Sequence, residues 1–138
     1  MATLDADLVL IDTAPHSTAS GAAAIELADL VVIPTRPTAL DLAAVPPTLA
    51  LVNAARRPAL AVLTQAPAVG REVAESIEAL RGAGLTVSQA VQHLRTDHHR
   101  SLGSGLGVTE FSPSSKAAAE VRALWADVRK ALGWNSIA

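Results

Sequence analysis

Four short apolar runs, separated by stretches with helical patterns, constrain the fold of this chain more than any other feature. The runs cover Leu8–Asp12, Leu30–Pro34, Ala59–Gln65 and, more weakly, Leu85–Val91. The first three are apolar at almost every position and rich in Val, Leu and Ile, which is typical of strands covered on both faces of a parallel sheet. The alternation of strands with helices therefore predicts an α/β fold with three layers and a mostly parallel sheet.

Two helices are predicted on either side of the second run. The Ala-rich segment Ala19–Ala28 predicts a short helix before it. After it, Thr38 and Asp41 resemble a capping box and predict a helix that extends toward Asn53. Pro46 and a second proline directly after it lie inside that segment. Because proline removes a backbone donor and clashes with the preceding turn, we expect the helix to kink or restart there.

Two further helices have a clear apolar face. We expect the third helix to end at Gly82 and Gly84, since glycine commonly follows the last turn of a helix. The last helix is predicted to have Ser112 as its cap and Pro113 in its first turn, and to end at Gly133. The apolar faces consist of Val69, Val73, Ile77 and Leu80 in the third helix and of Ala117, Val121, Leu124, Trp125, Val128 and Leu132 in the last.

Length and composition limit the class of protein. The 138 residues fit a single domain over 1–138, and 50% hydrophobic with 17% charged residues is unlike a disordered chain. The absence of cysteine excludes disulfides and thiolate metal sites and agrees with a cytoplasmic location. A net charge of -2 gives no general attraction to nucleic acid. No apolar run approaches the roughly 20 residues of a membrane span, so we expect no membrane partner.

The stretch DLVLIDTAPH places an acid, Asp12, at the end of a run that is predicted to be a buried strand. Ligands of doubly wound sheets bind beyond the carboxyl ends of the strands, so this acid is expected at the ligand edge. LVLID has the form of a Walker B strand, whose aspartate holds Mg²⁺ through water beside a nucleotide phosphate. An alternative stays open for this stretch alone, in which Asp12 only caps the following turn.

Four stretches in one order and spacing carry a resemblance to a known family. They are DLVLIDTAPH, ADLVVIPTRPTALDLAA, AVLTQAP and GLGVTEFSPSSKAAAEVRALW. Together, from Asp7 to about Leu132, the chain resembles the ParA family of plasmid and chromosome partitioning ATPases, the deviant-Walker relatives of MinD. The resemblance implies part of a P-loop NTPase fold of the ParA type, a role in DNA segregation, and ATP and Mg²⁺ as cofactors. The chain departs from the family's usual IDTPP at Ala14.

The resemblance also implies a set of site residues. Asp12 corresponds to the Walker B acid, catalytic and linked to Mg²⁺ through water, and Thr13 to His16, including Pro15, correspond to the loop that senses the γ-phosphate. Gln65 and Pro67 follow the third run, where the family places the adenine. For these two residues a simple strand-ending turn is the alternative.

The family's phosphate-binding loop, K-G-G-x-G-K-[ST], is absent from the sequence. The only Gly-rich stretch, Ser101–Val108, contains no lysine and is predicted to be a turn between helices, and the first lysine of the chain is Lys116. The chain is therefore expected to be the C-terminal portion of a ParA-like ATPase domain, truncated before Walker B. It belongs by resemblance to an ATPase family, yet by itself it is expected neither to hydrolyse ATP nor to bind it tightly.

The missing loop has a consequence for the sheet. In the family, the strand that precedes the phosphate-binding loop lies between the strands corresponding to Leu8–Asp12 and Leu30–Pro34. Without it, these two strands pair directly, or another chain fills the gap, or the fold is marginally stable. We expect self-association or association with a ParA-like chain.

Basic residues near the C-terminus suggest weak, non-specific and salt-sensitive DNA binding, as the resemblance implies. The principal candidates are Arg95, Arg100 and Lys116, with Arg122 and Arg129 as further ones. The alternative is that they are solvated residues of helix faces. The family also implies a ParB-like adaptor as a partner. A second functional hypothesis is a non-enzymatic regulatory module that binds DNA or a ParB or ParA partner.

A cluster of three histidines and an aspartate is a further candidate for a metal site. His93, Asp97, His98 and His99 are close in sequence, and His93 and Asp97 are predicted to share a helical face. Zinc sites need three or four converging ligands, and no second group of ligands exists in the sequence. No metal is therefore predicted at this cluster.

Overall fold

A parallel sheet of three strands organises the protein, whose computed structural model describes residues 5–13 and 18–134. The strands, in the spatial order β1-β2-β3, are β1 (Val31–Thr35), β2 (Ala59–Leu63) and β3 (Thr86–Val87). The helices are α1 (Thr18–Leu27), α2 (Ala39–Ala43), α3 (Val45–Ala54), α4 (Glu72–Gly82), α5 (Thr96–Gly103), α6 (Val108–Phe111) and α7 (Lys116–Ala131). The prediction of an α/β fold with a mostly parallel sheet is confirmed for the described residues.

The strand β2 lies between the other two and is covered on both faces. Ala61 and Leu63, which are 0% and 1% exposed, belong to a cluster with buried residues of α1, α3 and α4. Leu60 and Val62 point to the opposite face, because side chains alternate along a strand, and they are 3% and 1% exposed. The doubly apolar run of the sequence therefore corresponds to a doubly buried strand.

The third strand is shorter than the run that predicted it. β3 covers only Thr86–Val87, whereas the run extends to Val91. The backbone N–H groups of Gln89 and Ala90 donate to the Asp127 carboxylate of α7, at 2.9 and 3.3 Å, instead of to β2. The chain returns to the sheet at Gln92, whose backbone N–H donates to the carbonyl oxygen of Leu63 at 2.9 Å, and His93 then forms a parallel bridge with Ala66.

The predicted helix after β1 has its start and its break where the sequence places them. Thr38 caps α2, because its Oγ1 accepts a hydrogen bond of 3.2 Å from the backbone N–H of Asp41. The helical segment is interrupted at Ala44 and restarts as α3, with Pro46 in the first turn. In that turn a missing N–H costs nothing, which is why proline is tolerated.

The last helix begins later than predicted. Its cap is Ser115, whose Oγ accepts from the backbone N–H of Ala118 at 3.1 Å. Ser112 instead follows α6, whose start is fixed by the carboxylate of Glu110 accepting from the backbone N–H of Gly107 at 2.8 Å. The prediction of Ser112 as the cap is thus wrong, because the four residues before it form a helix of their own. The predicted ends of α4 and α7 are confirmed: Gly84 and Gly133 have φ of 88° and 70°, a conformation that favours glycine.

The predicted strand Leu8–Asp12 does not form. These residues have no regular secondary structure, and the apolar side chains from Leu8 to Ile11 are 41%, 50%, 85% and 51% exposed. A strand needs a neighbour for its backbone hydrogen bonds, and none of the described residues pairs with this segment. The direct pairing of this run with β1, one of the three expected outcomes, is therefore not made. Within the described ranges, no helix combines the length and the apolar character needed to cross a membrane.

Candidate functional site

The carboxyl ends of β1 and β2 lie side by side, so the loops that follow them start at the same edge of the sheet. Thr35 pairs with Leu63 in the register of the two strands. Just beyond, the backbone N–H of Thr64 donates to the carbonyl oxygen of Thr35 at 2.9 Å. We call this the carboxyl edge. Ligands of parallel sheets bind beyond such an edge, so it is the candidate functional site.

Gln65 is displayed at the carboxyl edge in an unusual conformation. It is exposed and has φ of 49°, a left-handed conformation that costs a non-glycine residue about 1–2 kcal/mol. The next residue, Ala66, is fully buried and fixed by hydrogen bonds to Gln92 and Leu94, at 3.1 and 3.0 Å. Pro67 follows and is exposed. The anchored Ala66 thus holds the predicted adenine residues Gln65 and Pro67 on the surface at this edge.

Arg36 is a residue of the carboxyl edge that the sequence analysis missed. Its Nε and Nη2 donate to the two carboxylate oxygens of Asp41, at 3.0 and 3.1 Å, and its side chain is 54% exposed. The hydroxyl of Thr38 and then the guanidinium of Arg36 lower the pKa of Asp41 by hydrogen bonding. The position of an arginine directly after a buried strand is the signal that could have identified it. The bidentate pair holds the guanidinium in a fixed orientation at the carboxyl edge, with its charge balanced by the Asp41 carboxylate.

The predicted Walker B acid, Asp12, is not found at the end of a strand as the sequence predicts. Asp12 and Thr13 are exposed, and Asp12 does not end a strand, because the segment before it is irregular. Within the described part of the chain, Asp12 forms no hydrogen bond or ion pair. Pro15 lies outside the described residues. The structure therefore gathers Gln65, Pro67 and Arg36 at one edge and does not place Asp12 at a strand end beside them.

Glu120 of α7 is the most heavily bonded side chain of the described residues, and the sequence analysis missed it. Its Oε1 accepts from Arg95 Nε at 2.9 Å and from Arg95 Nη2, and it lies 2.9 Å from His93 Nδ1. Its Oε2 accepts from the backbone N–H of His93 at 3.1 Å. Burial by itself would raise the pKa of Glu120, but the hydrogen bonds from Arg95 and His93 outweigh it and lower the pKa. The carboxylate is thus held in its charged form.

A second carboxylate of α7, Asp127, holds the preceding part of the same loop. It accepts from the hydroxyl of Ser88 at 2.6 Å and from the backbone N–H of Gln89 at 2.9 Å. Burial would raise the pKa of Asp127, but these bonds, the amide of Ala90 and the charge of Lys130 together lower it. Glu120 and Asp127 therefore tie residues 88–95, which flank the carboxyl edge, to the last helix.

The candidate DNA-binding residues differ in their surroundings. Arg95 is half-buried and bonded to Glu120. Arg122 donates to the carbonyl oxygen of Pro113 at 2.6 Å. Arg100 and Lys116 are exposed, and neither forms an ion pair with any described residue. Arg129, in the last turn of α7, is partly buried and also forms no ion pair with a described residue. Arg100 and Lys116 are therefore the exposed candidates whose charges no described residue compensates.

The predicted helical face shared by His93 and Asp97 is wrong. α5 begins at Thr96, and His93 lies before it, in the parallel bridge with Ala66. Its imidazole contacts Glu120. In the ranges 5–13 and 18–134, no group of three or more His, Asp or Glu side chains is placed to hold a metal ion. The predicted turn in the Gly-rich stretch is confirmed, since Ser104 to Gly107 connect α5 to α6.

No protein-family model matches the sequence, and no curated protein matches it significantly.

Proposed function

We propose that these 138 residues form part of a ParA-type partitioning ATPase domain that acts in DNA segregation in the cytoplasm. In this proposal the sheet is the middle of a three-layer fold, and the carboxyl edge binds an adenine nucleotide together with a phosphate-binding loop that the sequence lacks. The order of the four sequence stretches and the parallel sheet both support the proposal. A ParB-like adaptor is the protein partner that the proposal implies.

The observation that carries the proposal is the conformation of Gln65. A left-handed backbone at a glutamine is strained, and strain of this kind accumulates at binding sites, where the surrounding structure enforces it. Here the enforcing groups are the hydrogen bonds of Ala66 with Gln92 and Leu94. The strained residue follows the central strand of a parallel sheet, where ligands bind. Its amide carries both donor and acceptor groups, as recognition of an adenine edge requires.

The described residues fit the two ends of ATP unequally. Gln65 and Pro67 provide an exposed polar and an exposed apolar surface for a base. Arg36 provides a charge for an anion, but its guanidinium is already bonded to Asp41. The glycines that follow α5 form a turn between helices and have no lysine beside them. The phosphates of ATP therefore lack a cradle in this chain, and we expect no tight binding of ATP by the chain alone.

The first prediction tests the carboxyl edge as an adenine site. We expect the chain, when it is mixed with a strand–loop–helix segment bearing K-G-G-x-G-K-[ST], to bind a fluorescent ATP analogue in the presence of Mg²⁺. Gln65→Gly removes the side-chain amide, and glycine adopts the same left-handed φ without strain, so the backbone conformation can be retained. A loss of affinity therefore reports the loss of the side chain. We expect about a tenfold loss, since one good hydrogen bond to a base contributes about 1.4 kcal/mol. The measurement is a fluorescence titration.

Gln89→Ala is the matched control for this titration, because Gln89 is exposed and its side chain lies in the loop held by Asp127. Its affinity should equal that of the unsubstituted chain. Equal affinities for Gln65→Gly and the unsubstituted chain would remove the adenine site from the proposal.

Exposed, unpaired cations favour DNA binding as a second function, which would remain if the chain uses no nucleotide. The second prediction is that Arg100→Ala with Lys116→Ala weakens binding to a duplex of arbitrary sequence at low salt by at least about fivefold. The double variant should also lower the slope of log affinity against log salt by about 1.8, because each lost phosphate contact contributes about 0.9. Arg71→Ala with Arg81→Ala removes two exposed charges near or on α4 and serves as the control. Equal losses in both double variants would show that only net charge matters and would exclude a local DNA surface.

A further inference from the structure

The outer edge of β1 has backbone groups that no described residue uses. Val31 donates to the carbonyl oxygen of Pro58 at 2.9 Å, and the carbonyl oxygen of Thr35 accepts from Thr64 at 2.9 Å, so these residues face β2. Because residues of a strand alternate between its two sides, the backbone groups of Val32 and Pro34 face away from β2. The sheet of the described residues ends there. Pro34 has no N–H, so this edge offers one donor and two acceptors within the strand.

One face of β1 is also uncovered. Val32 is 42% exposed and Pro34 is exposed, whereas their partners in the register on β2, Leu60 and Val62, are 3% and 1% exposed. On this face of the sheet, the side chains of β2 are therefore buried, whereas those of β1 are exposed to solvent. An additional strand beside β1 would use the free backbone groups and bury the side of Val32.

The chain itself contains a segment with the composition of that strand. The run from Leu8 to Ile11 is apolar, more than two-fifths exposed at every position, and without a backbone partner among the described residues. Acids flank the run, Asp7 before it and Asp12 after it. Arg36 follows β1 directly, and its guanidinium is already bonded to Asp41. In a parallel pairing Asp12 would lie at the end of β1 that Arg36 follows.

We propose that the Leu8–Ile11 run of one copy of this chain adds as a strand to the β1 edge of a second copy, and that the exchange is reciprocal. Among residues 5–13 and 18–134 of one chain the run and the edge are both unpaired, and two copies satisfy both. A reciprocal exchange closes on itself with two-fold symmetry and leaves no edge for further growth. The apolar side chains supply the affinity, and the backbone groups of Val32 and Pro34 supply the hydrogen bonds. The dimer requires neither nucleotide nor DNA, so its test needs neither, and a failure of the dimer is distinguishable from a failure of the proposed function. The strand that the proposed function places beside β1 would compete with the exchanged run for the same edge.

The test measures molar mass by light scattering after size exclusion, over a concentration series without nucleotide. We expect a twofold rise in mass for the unsubstituted chain and the mass of one chain for Leu10→Asp. Leu10 is 85% exposed, so the substitution spares the folded monomer and only prevents its burial against a partner. Leu102→Asp is the matched control, because Leu102 is 77% exposed on α5, and it should retain the twofold mass.

A mixing experiment separates exchange between copies from any other contact. Leu10→Asp prevents the Leu8–Ile11 run from pairing but leaves the β1 edge intact. Val32→Asp disrupts the β1 edge but leaves the run intact. Each variant alone should have the mass of one chain, and an equal mixture should regain mass through the one intact strand–edge pair. Circular dichroism of each variant checks that it is folded. A monomer of the unsubstituted chain at every concentration, a dimer that survives Leu10→Asp, or a mixture that regains no mass would overturn the proposal.

Discussion

Replacing Glu120 by alanine should lower the free energy of unfolding by about 2–4 kcal/mol, the largest stability loss that we expect from any charged residue of the chain. The Glu120 side chain is 16% exposed and that of Arg95 is 24% exposed, so their ion pair is mostly removed from water. Without Glu120 the guanidinium of Arg95 and the backbone N–H of His93 lose their partners. The total free energy of unfolding of a small domain is only about 5–15 kcal/mol, so this loss is a large share of it.

Urea denaturation measures the loss, and Glu78→Ala provides the control. Glu78 is an exposed helical glutamate of α4, and its replacement should change the free energy of unfolding by less than about 0.5 kcal/mol. Glu120→Gln keeps the shape of the side chain and some hydrogen bonds while removing the charge, so it should lie between the two. A loss for Glu120→Ala that is no greater than that for Glu78→Ala would show that the observed bonds contribute nothing to stability.

The same carboxylate gives stability a defined dependence on pH. The pKa values of Glu120 and Asp127 are lowered in the folded protein, so their contribution is present above the pKa of the unfolded chain. It is lost as pH falls through the lowered folded values, in the region below about pH 4. Glu120→Gln cannot titrate, and its unfolding free energy should therefore decline less steeply with acid than that of the unsubstituted chain.

The parts of the fold that depend on neighbouring residues were predictable from sequence. The cap at Thr38 and the break at Ala44 follow from residues a few positions apart. The burial of β2 follows from its continuous apolar run. By contrast, the run from Leu8 to Ile11 has the composition of a strand and forms none, because a strand depends on a partner that composition does not reveal.

Among the residues of the candidate site, only those that follow a strand were predicted from the sequence. Gln65 and Pro67 were named because the resemblance to the ParA family places the adenine after the third apolar run, and in the structure both residues lie just beyond β2. Glu120 and Asp127 bond to groups 25 to 39 residues away, and no periodicity of α7 marks them as different from the other acids of the chain. Their roles depend on how α7 packs against the loop after β3, which is a property of the folded chain.

The second large expected effect is the absence of ATP hydrolysis by the chain alone. Phosphoryl transfer depends on positioning and charge neutralisation, which the phosphate-binding loop of ParA-type ATPases supplies through its backbone amides and lysines. Losing one such donor costs about 10²–10³ in rate, and this chain has no loop of that kind. We therefore expect no detectable hydrolysis of ATP by the chain alone. Hydrolysis should appear when the missing loop is supplied, and it should then depend on Asp12.

Steady-state release of phosphate tests the account most directly. It is measured for the chain, for a strand–loop–helix segment bearing K-G-G-x-G-K-[ST], and for their mixture, each with ATP and Mg²⁺. Asp12→Ala and, as a control acid outside the site, Asp29→Ala are measured in the same mixture. The account predicts turnover only in the mixture, unchanged by Asp29→Ala and abolished by Asp12→Ala. Turnover by the chain alone that Asp12→Ala abolishes, or a folded mixture without turnover, would contradict it.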